Sequence, residues 1–257
     1  MIASDQLDRH LVASLGVLVE HADGSGHVER RGDVLVTAVG LGGTDFNVGW
    51  VTGVPVDPDG DLRWLLDRLE PVGSPFMVQL GEPLRAAMEP ALRSAGLTHQ
   101  ESVPGMVLPS RADVPPPPAG LRVEKVRDAE ALRAQVLATA AGFGAPNPEE
   151  VLPVFPASLL DDERVSFFAG YADGSSEPVA TAACVVAEDA VGVYAVTVLD
   201  SHRRRGFGAA MTWAAVRAGA QAGVPVVALQ ASPMGEPVYR RMGFETVRTY
   251  HRYTPAG

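Results

Sequence analysis

Apolar positions along the chain switch between helical and strand spacing, and the switches outline the elements. Leucines and valines mixed with Asp5, Asp8 and Arg9 predict an amphipathic helix at the start. In the first half, short apolar runs predict strands near Asn47 to Thr52 and over Phe76 to Leu80, with a helix near Leu62 to Leu69. Further on, Asp128 caps a helix whose Leu132, Val136, Leu137 and Ala140 share a face, and Gly142 ends it. Asn147-Pro148-Glu149-Glu150 opens a second helix, which Pro153 and Pro156 keep short or kinked.

Three strand runs follow, Val165 to Tyr171, Pro178 to Ala187 and Val191 to Val198. The turn pairs Asp173-Gly174 and Glu188-Asp189 separate them into an antiparallel meander. After a loop, an alanine-rich helix runs from about Gly206 to Ala222. Next come a strand from Val226 to Ala231, a short helix from Pro237 to Gly243, and a last strand from Phe244 to about Tyr253.

The proline run Pro115 to Pro118 interrupts this pattern, because four prolines donate no backbone hydrogen bonds and form a stiff, extended spacer. It suggests a first domain at 1–111, a linker at 112–120 and a second domain at 121–257. Charge divides at the same place: residues 1–118 carry a net −8 and residues 119–257 a net −2, out of −10 for the 257-residue chain. That balance argues against nucleic acid or an anionic membrane as partner, and mildly favours a cationic ligand.

No apolar stretch reaches the length of a membrane span, and the N-terminus lacks the layout of a signal peptide. With a single cysteine, Cys184, in an apolar run, this fits a soluble cytoplasmic protein without an internal disulfide. The six histidines show no ligand spacing, so no metal is expected. Monomer and homodimer both remain open.

The chemistry concentrates where the strand ending at Val198 enters Asp200-Ser-His-Arg203-Arg204-Arg205-Gly206-Phe207-Gly208-Ala209. Backbone N–H groups at a helix N-terminus have no partners within the helix, and its dipole adds positive charge. Glycines admit a ligand close to the backbone and three arginines add full charge, which suits a pyrophosphate. A nicotinamide-binding turn fits poorly, since Gly-x-Gly-x-x-Gly spacing is missing and the preceding strands are antiparallel.

Together with Pro237-Val-Tyr239-Arg-Arg-Met-Gly243-Phe244 further on, this arrangement resembles the GNAT superfamily of acyl-CoA-dependent N-acyltransferases over residues 121–257. The resemblance implies an α+β fold with a mixed, mostly antiparallel central sheet flanked by helices. It also implies acetyl-CoA as co-substrate, with Arg203, Arg204, Arg205, Gly206, Phe207, Gly208 and Ala209 at its pyrophosphate. Val196 and Val198 would pair with the pantetheine arm, and the Val198 N–H would stabilise the oxyanion of the tetrahedral intermediate. Tyr239 matches the tyrosine that protonates the departing thiolate, or else it only packs against the pantetheine.

The implied reaction is acetyl transfer to a primary amine by direct attack in a ternary complex. The alternative is a noncatalytic acyl-CoA-binding or sensing protein, because Val191 to Val198 carries no carboxylate to serve as base. Tyr194 and Thr197 are the only polar side chains on that strand, and simple alternation sets them on opposite faces. His251, Glu236 and a water relay stay open as proton acceptors, and Gln230 and Ser232 as substrate contacts.

In the first half, Pro90-Ala-Leu92-Arg93-Ser-Ala-Gly96-Leu97 matches Pro237 to Phe244 in outline at an offset of 147, but Leu92 replaces the tyrosine. The segment Gly53 to Gly60, which would be the phosphate turn, contains aspartates and no arginine. The first half is therefore either a degenerate GNAT-like copy in tandem with the second or an unrelated α+β domain.

Overall fold

A computed structural model describes residues 4–24, 26–109 and 113–256. The chain divides into two compact units. Unit 1 comprises residues 1–106, 230–236 and 246–257, and unit 2 comprises residues 107–229 and 237–245. Both are mixed α+β.

Unit 1 begins with α1 (Ser4–His21), followed by β1 (His27–Arg31), β2 (Val34–Ala38) and β3 (Asn47–Val51). Next come α2 (Pro58–Leu69), β4 (Met77–Gly81), α3 (Glu82–Ser94) and β5 (Leu97–Pro109), of which the last three residues belong to unit 2. Strands β1 to β3 are antiparallel neighbours, whereas β3 and β4, joined through α2, run parallel.

Leu62, Leu65 and Leu69 of α2 and Leu84, Met88 and Leu92 of α3 close one sheet face over Val78 and Leu80. Helix α1 covers the opposite face and comes close to β5 at Gly105. A Cβ there would lie 2.6 Å from both Leu7 and Tyr250.

The last strand of the chain, β11 (Glu245–Pro255), belongs to unit 1 from Thr246 onward. It pairs antiparallel with β4, setting Tyr250 opposite Gly81 and Tyr253 opposite Val78. The expected second domain of 121–257 is thus divided, and the proline run does not mark where the units separate. The reason lies in β11 itself. Tyr253 fills the core under α2 and α3, and on the other face Tyr250 donates to Asp8 of α1 (2.6 Å), which also pairs with Arg248.

Unit 2 contains β6 (Leu121–Lys125), α4 (Ala129–Gly142), β7 (Val165–Ala172), β8 (Ala180–Ala187) and β9 (Ala190–Val198). It continues with α5 (Phe207–Gln221), β10 (Val226–Gln230, the last residue in unit 1) and α6 (Glu236–Met242, from Pro237 in unit 2). Strands β6 to β9 form the expected antiparallel meander, and β10 joins β9 in parallel. Each unit therefore contains one parallel strand pair bridged by a helix, β3-α2-β4 and β9-α5-β10.

Small residues set the helices close to the unit 2 sheet. A Cβ on Gly219 would meet Val191 at 2.3 Å, and one on Gly142 would meet Thr197 at 2.3 Å. Where a helix was expected after Asn147, the two prolines leave only 3₁₀ turns at Pro148–Val154 and Ala157–Leu160. Pro115 and Pro117 do not extend freely; with Trp213 and Arg217 they line a cavity of ≈ 280 Å³.

Because Tyr253 is 2% exposed in the unit 1 core, Tyr253→Ala should cost about 3 kcal/mol in urea unfolding. A loss below about 1 kcal/mol would mean that β11 is dispensable to unit 1.

Candidate functional site

Strand β9 is held on both sides at its start and on one side at its end. Its parallel pairing with β10 covers only Ala190↔Val226, Val191↔Val227 and Gly192↔Ala228. Against β8 it continues to Val198↔Ala180, but with one extra residue: Tyr194 faces Ala183 and Thr197 faces Thr181. Three steps on β9 thus match two on β8, a β-bulge in which Ala195 takes a left-handed φ of +54°. The Ala195 carbonyl accepts from the Thr181 hydroxyl (2.9 Å), which is itself 2.9 Å from the Thr139 hydroxyl of α4.

The bulge reverses one expectation. Ala183 and Thr181 are two apart and share a face, so Tyr194 and Thr197 lie on the same face of β9 and not on opposite ones. Alternation fails at the one place where the strand is irregular.

Backbone direction past the bulge follows from one hydrogen bond. Leu199 N–H donates to Val179 O on the β8 side, so the Val198 and Val196 N–H groups face the other way, along the edge that β10 has left. The Val198 carbonyl, which points the same way as its own N–H, agrees with this by accepting from Arg203 Nε at 3.1 Å.

The turn after β9 is built from left-handed residues. A 3₁₀ turn at Asp200–His202 leads to Arg204 at φ +63° and to Gly206 at φ +79°, the N-cap of α5. No side chain caps α5, and its first backbone bond runs from Ala210 N–H to Gly206 O. The N–H groups of Phe207, Gly208 and Ala209 therefore head the helix with no intrahelical acceptor, where the dipole contributes roughly half a positive charge. A Cβ at Gly208 would make only an ordinary contact, 3.7 Å from Val198 Cγ2. The Phe207 side chain is buried and stacks on His202, leaving only its backbone to face outward.

The three arginines do different work. Arg203 is occupied within the protein: besides Val198 O, it donates to Gly142 O at the end of α4 (3.2 Å) and pairs with Asp200 (2.8 Å). It braces the turn. Arg204 and Arg205 are exposed and, among the described residues, have no ion-pair partner.

Tyr239 of α6 is 9% exposed and contacts Phe244 edge-on at 5.7 Å. Thr212, one turn into α5 from Gly208, acts on the phenol, a neighbour that sequence reasoning did not find. Thr212 gives its hydrogen to Gly208 O (3.0 Å). Burial pushes the phenol pKa up to about 12, with the Thr212 bond acting in the opposite direction, so Tyr239 is neutral at physiological pH.

The open proton acceptors both belong to unit 1. His251 is buried in unit 1, with Glu82 at Nε2 and the Ser102 hydroxyl 2.9 Å from Nδ1. Glu236 opens α6. Cys184 is 1% exposed and burial pushes its thiol up to about 12, which leaves it inert as a nucleophile. Among the described residues no cluster of His, Cys, Asp or Glu could hold a metal ion, and no helix is long and apolar enough to cross a membrane.

A meander followed by a bulged strand, an open edge and an uncapped helix defines a class that comparison identifies. Residues 134–244 match the model of the Acetyltransferase (GNAT) family. The fold of the full chain is similar to a GCN5-related N-acetyltransferase from Kribbella flavida, at 24% identity and a TM-score of 0.71, covering 100% of this chain and 97% of that one. It is similar too to a GCN5-related N-acetyltransferase from Sphaerobacter thermophilus (16%, 0.63, 99% and 93%). A tandem GNAT protein from the clavulanic acid biosynthesis pathway is a further neighbour (14%, 0.54, 98% and 96%). At these identities the likeness is one of fold. No curated protein matches the sequence.

The division among the arginines is measurable. Arg203→Ala should cost about 2 kcal/mol in stability, because it leaves two carbonyls without their charged donor. Arg204→Ala and Arg205→Ala should stay within about 0.5 kcal/mol of the parent. Equal effects at all three positions would contradict the bracing role.

Proposed function

We propose that unit 2 binds acetyl-CoA and transfers its acetyl group to a primary amine by direct attack. The carrying observation is that the open edge of β9 leads directly into the uncapped N-terminus of α5. The Phe207, Gly208 and Ala209 N–H groups take the pyrophosphate, with Arg204 and Arg205 adding charge and Arg203 holding the turn in shape. The Val196 and Val198 edge pairs with the pantetheine amides, and the Val198 N–H lies where a thioester carbonyl gains charge during attack.

In the reaction the amine nitrogen bonds to the carbonyl carbon and the carbon–sulfur bond breaks. The nitrogen loses a proton to water or to an unassigned base, and the sulfur leaves as thiolate. Tyr239 faces that thiolate with a phenol pKa of about 12, against roughly 8.5 for an ordinary thiol. Full proton transfer in the resting site is therefore uphill by roughly 4–5 kcal/mol. Tyr239 contributes mainly by donating a hydrogen bond to the developing thiolate. Tyr239→Phe should thus leave acetyl-CoA affinity unchanged and lower kcat by about 10- to 100-fold. An unchanged kcat would remove Tyr239 from the chemistry.

Unit 1 has the same β-α-β arrangement without the same opening. Strand β3 pairs with β4 from Val48↔Met77 to Val51↔Leu80, through the end of β3. At the head of α2 the Asp57 carboxylate accepts from Gly60 N–H (3.0 Å), occupying with a fixed negative charge the place an anion would take. Leu92, fully buried, stands in α3 where Tyr239 stands in α6. These features support the reading of the first half as a degenerate copy, with one acyl-CoA site per chain.

Calorimetric titration with acetyl-CoA tests both parts. One site per chain is expected, and it should be lost in Gly208→Glu, which places charge and bulk at the helix head. Two sites would overturn the degenerate copy, and binding retained in the variant would overturn the phosphate turn. The absence of a carboxylate on β9 favours a second reading, a noncatalytic acyl-CoA-binding protein. Thiol release with any amine would exclude it.

A further inference from the structure

Unit 1 holds a group of polar side chains that the proposed acyl transfer does not use. Gln79 on β4 and Arg252 on β11 are cross-strand partners, so their side chains lie on one face of the sheet. Arg252 Nε donates to Gln79 Oε1 (3.0 Å), and its Nη2 donates to Oε1 of Gln230, the last residue of β10 (2.8 Å). Its Nη1 reaches Glu101 at 2.8 Å and Asp45 at 3.5 Å.

Arginine can only donate, so both glutamine oxygens are turned toward it and both amide NH2 groups are turned away. Neither NH2 finds an acceptor. Gln79 Nε2 and Gln230 Nε2 are both buried without a hydrogen-bond partner, and Gln79 as a whole is 1% exposed. Burying one such donor unpaired costs about as much as a hydrogen bond contributes, and two lie around a single guanidinium. Purely structural glutamines would be expected to spend their donors within the sheet.

We propose that Gln79, Gln230 and Arg252 form a binding subsite for the carbonyl or carboxylate oxygen of a small amino-acid-like ligand. The unmet groups are donors only, so what they accept is an oxygen with free lone pairs. Beside them, Glu101 and Asp45 use Nη1 of Arg252 and keep 44% and 67% of their side-chain surface open to solvent. Two exposed carboxylates next to an oxygen subsite suit an ammonium close to that oxygen. An α-amino acid and its amide both meet this description, whereas a plain alkylamine lacks the oxygen.

The inference does not depend on acyl transfer, and its readout is binding. In ¹⁵N-labelled full-length protein, the side-chain NH2 signals of Gln79 and Gln230 are identified by their loss in Gln79→Leu and Gln230→Leu. Gln230, half-buried at a strand end, provides an identification even where Gln79→Leu fails to fold. Glycinamide, glycine and ethylamine are then titrated in turn. Saturable shifts of these signals with glycinamide (a neutral carbonyl) or glycine (a carboxylate) and none with ethylamine are expected. The stronger of the two says which oxygen is read. Signals that stay fixed with both, or that move equally with ethylamine, overturn the subsite. Because acetyl-CoA affinity is measured separately, failure of either proposal leaves the other standing.

Discussion

Three residue pairs hold β9 to β10, and the candidate site depends on the pairing stopping there. A strand that remained paired to its end would have no backbone donors to offer a ligand, and the turn beyond it would lie against a closed edge. The bulge at Ala195 keeps the end of β9 bonded to β8 while changing its course. It requires a left-handed alanine, and Arg204 adds a second non-glycine left-handed residue a few positions on; each costs about 1–2 kcal/mol. The surroundings keep both in place. The Thr139 and Thr181 hydroxyls secure the bulge carbonyl, and Arg203 ties the turn to the end of β9 and to the last carbonyls of α4. Strain gathered at one strand end and held by dedicated side chains is the pattern expected of a functional site.

The two units show how little has to change for one topology to open or close such a site. In both, a parallel strand pair is bridged by a helix whose N-terminus follows the first strand. In unit 2 the helix head is uncapped and begins at a left-handed glycine. In unit 1, Asp57 and Pro58 give the helix a standard start, with a carboxylate cap and proline in the first turn. The capped form is the more stable helix start, by about 1 kcal/mol for the cap alone, and the uncapped form has backbone donors to spare. Stability and binding thus ask for opposite residues at the same point of the fold.

Much of this was legible in the sequence because it is written locally. Strand lengths in the meander, the limits of α5 within a residue or two and the glycine-bearing turn all follow from residues adjacent in the chain. In the acidic, arginine-free segment at Gly53 to Gly60, the structure adds which aspartate occupies the helix head. What could not be read depends on distant partners. The bulge at Ala195 appears only when β9 is set against β8, and it overturned the faces assigned to Tyr194 and Thr197. Arg203, one of three adjacent arginines, is distinguished only by reaching Gly142, sixty-one positions away. The approach of Thr212 to Tyr239 and the bonds of Arg252 to Gln79 and Gln230 are hidden for the same reason.

The assignment of β11 to unit 1 has the longest reach of these. Tyr253 in the core, Tyr250 and Arg248 on Asp8, and Arg252 on Gln79 all join the last residues of the chain to its first hundred. Closing a loop of that length costs only slightly more than closing a shorter one, so stability suffers little, but contacts so far apart in sequence form slowly. Gln79 on β4 and Arg252 on β11 are 173 positions apart, whereas β6 to β9 of unit 2 pair with near neighbours in the chain. The meander and α5 that build the turn at Arg203 to Gly208 are local in sequence, whereas the face of unit 1 bearing Gln79 and Arg252 is complete only once β11 has docked.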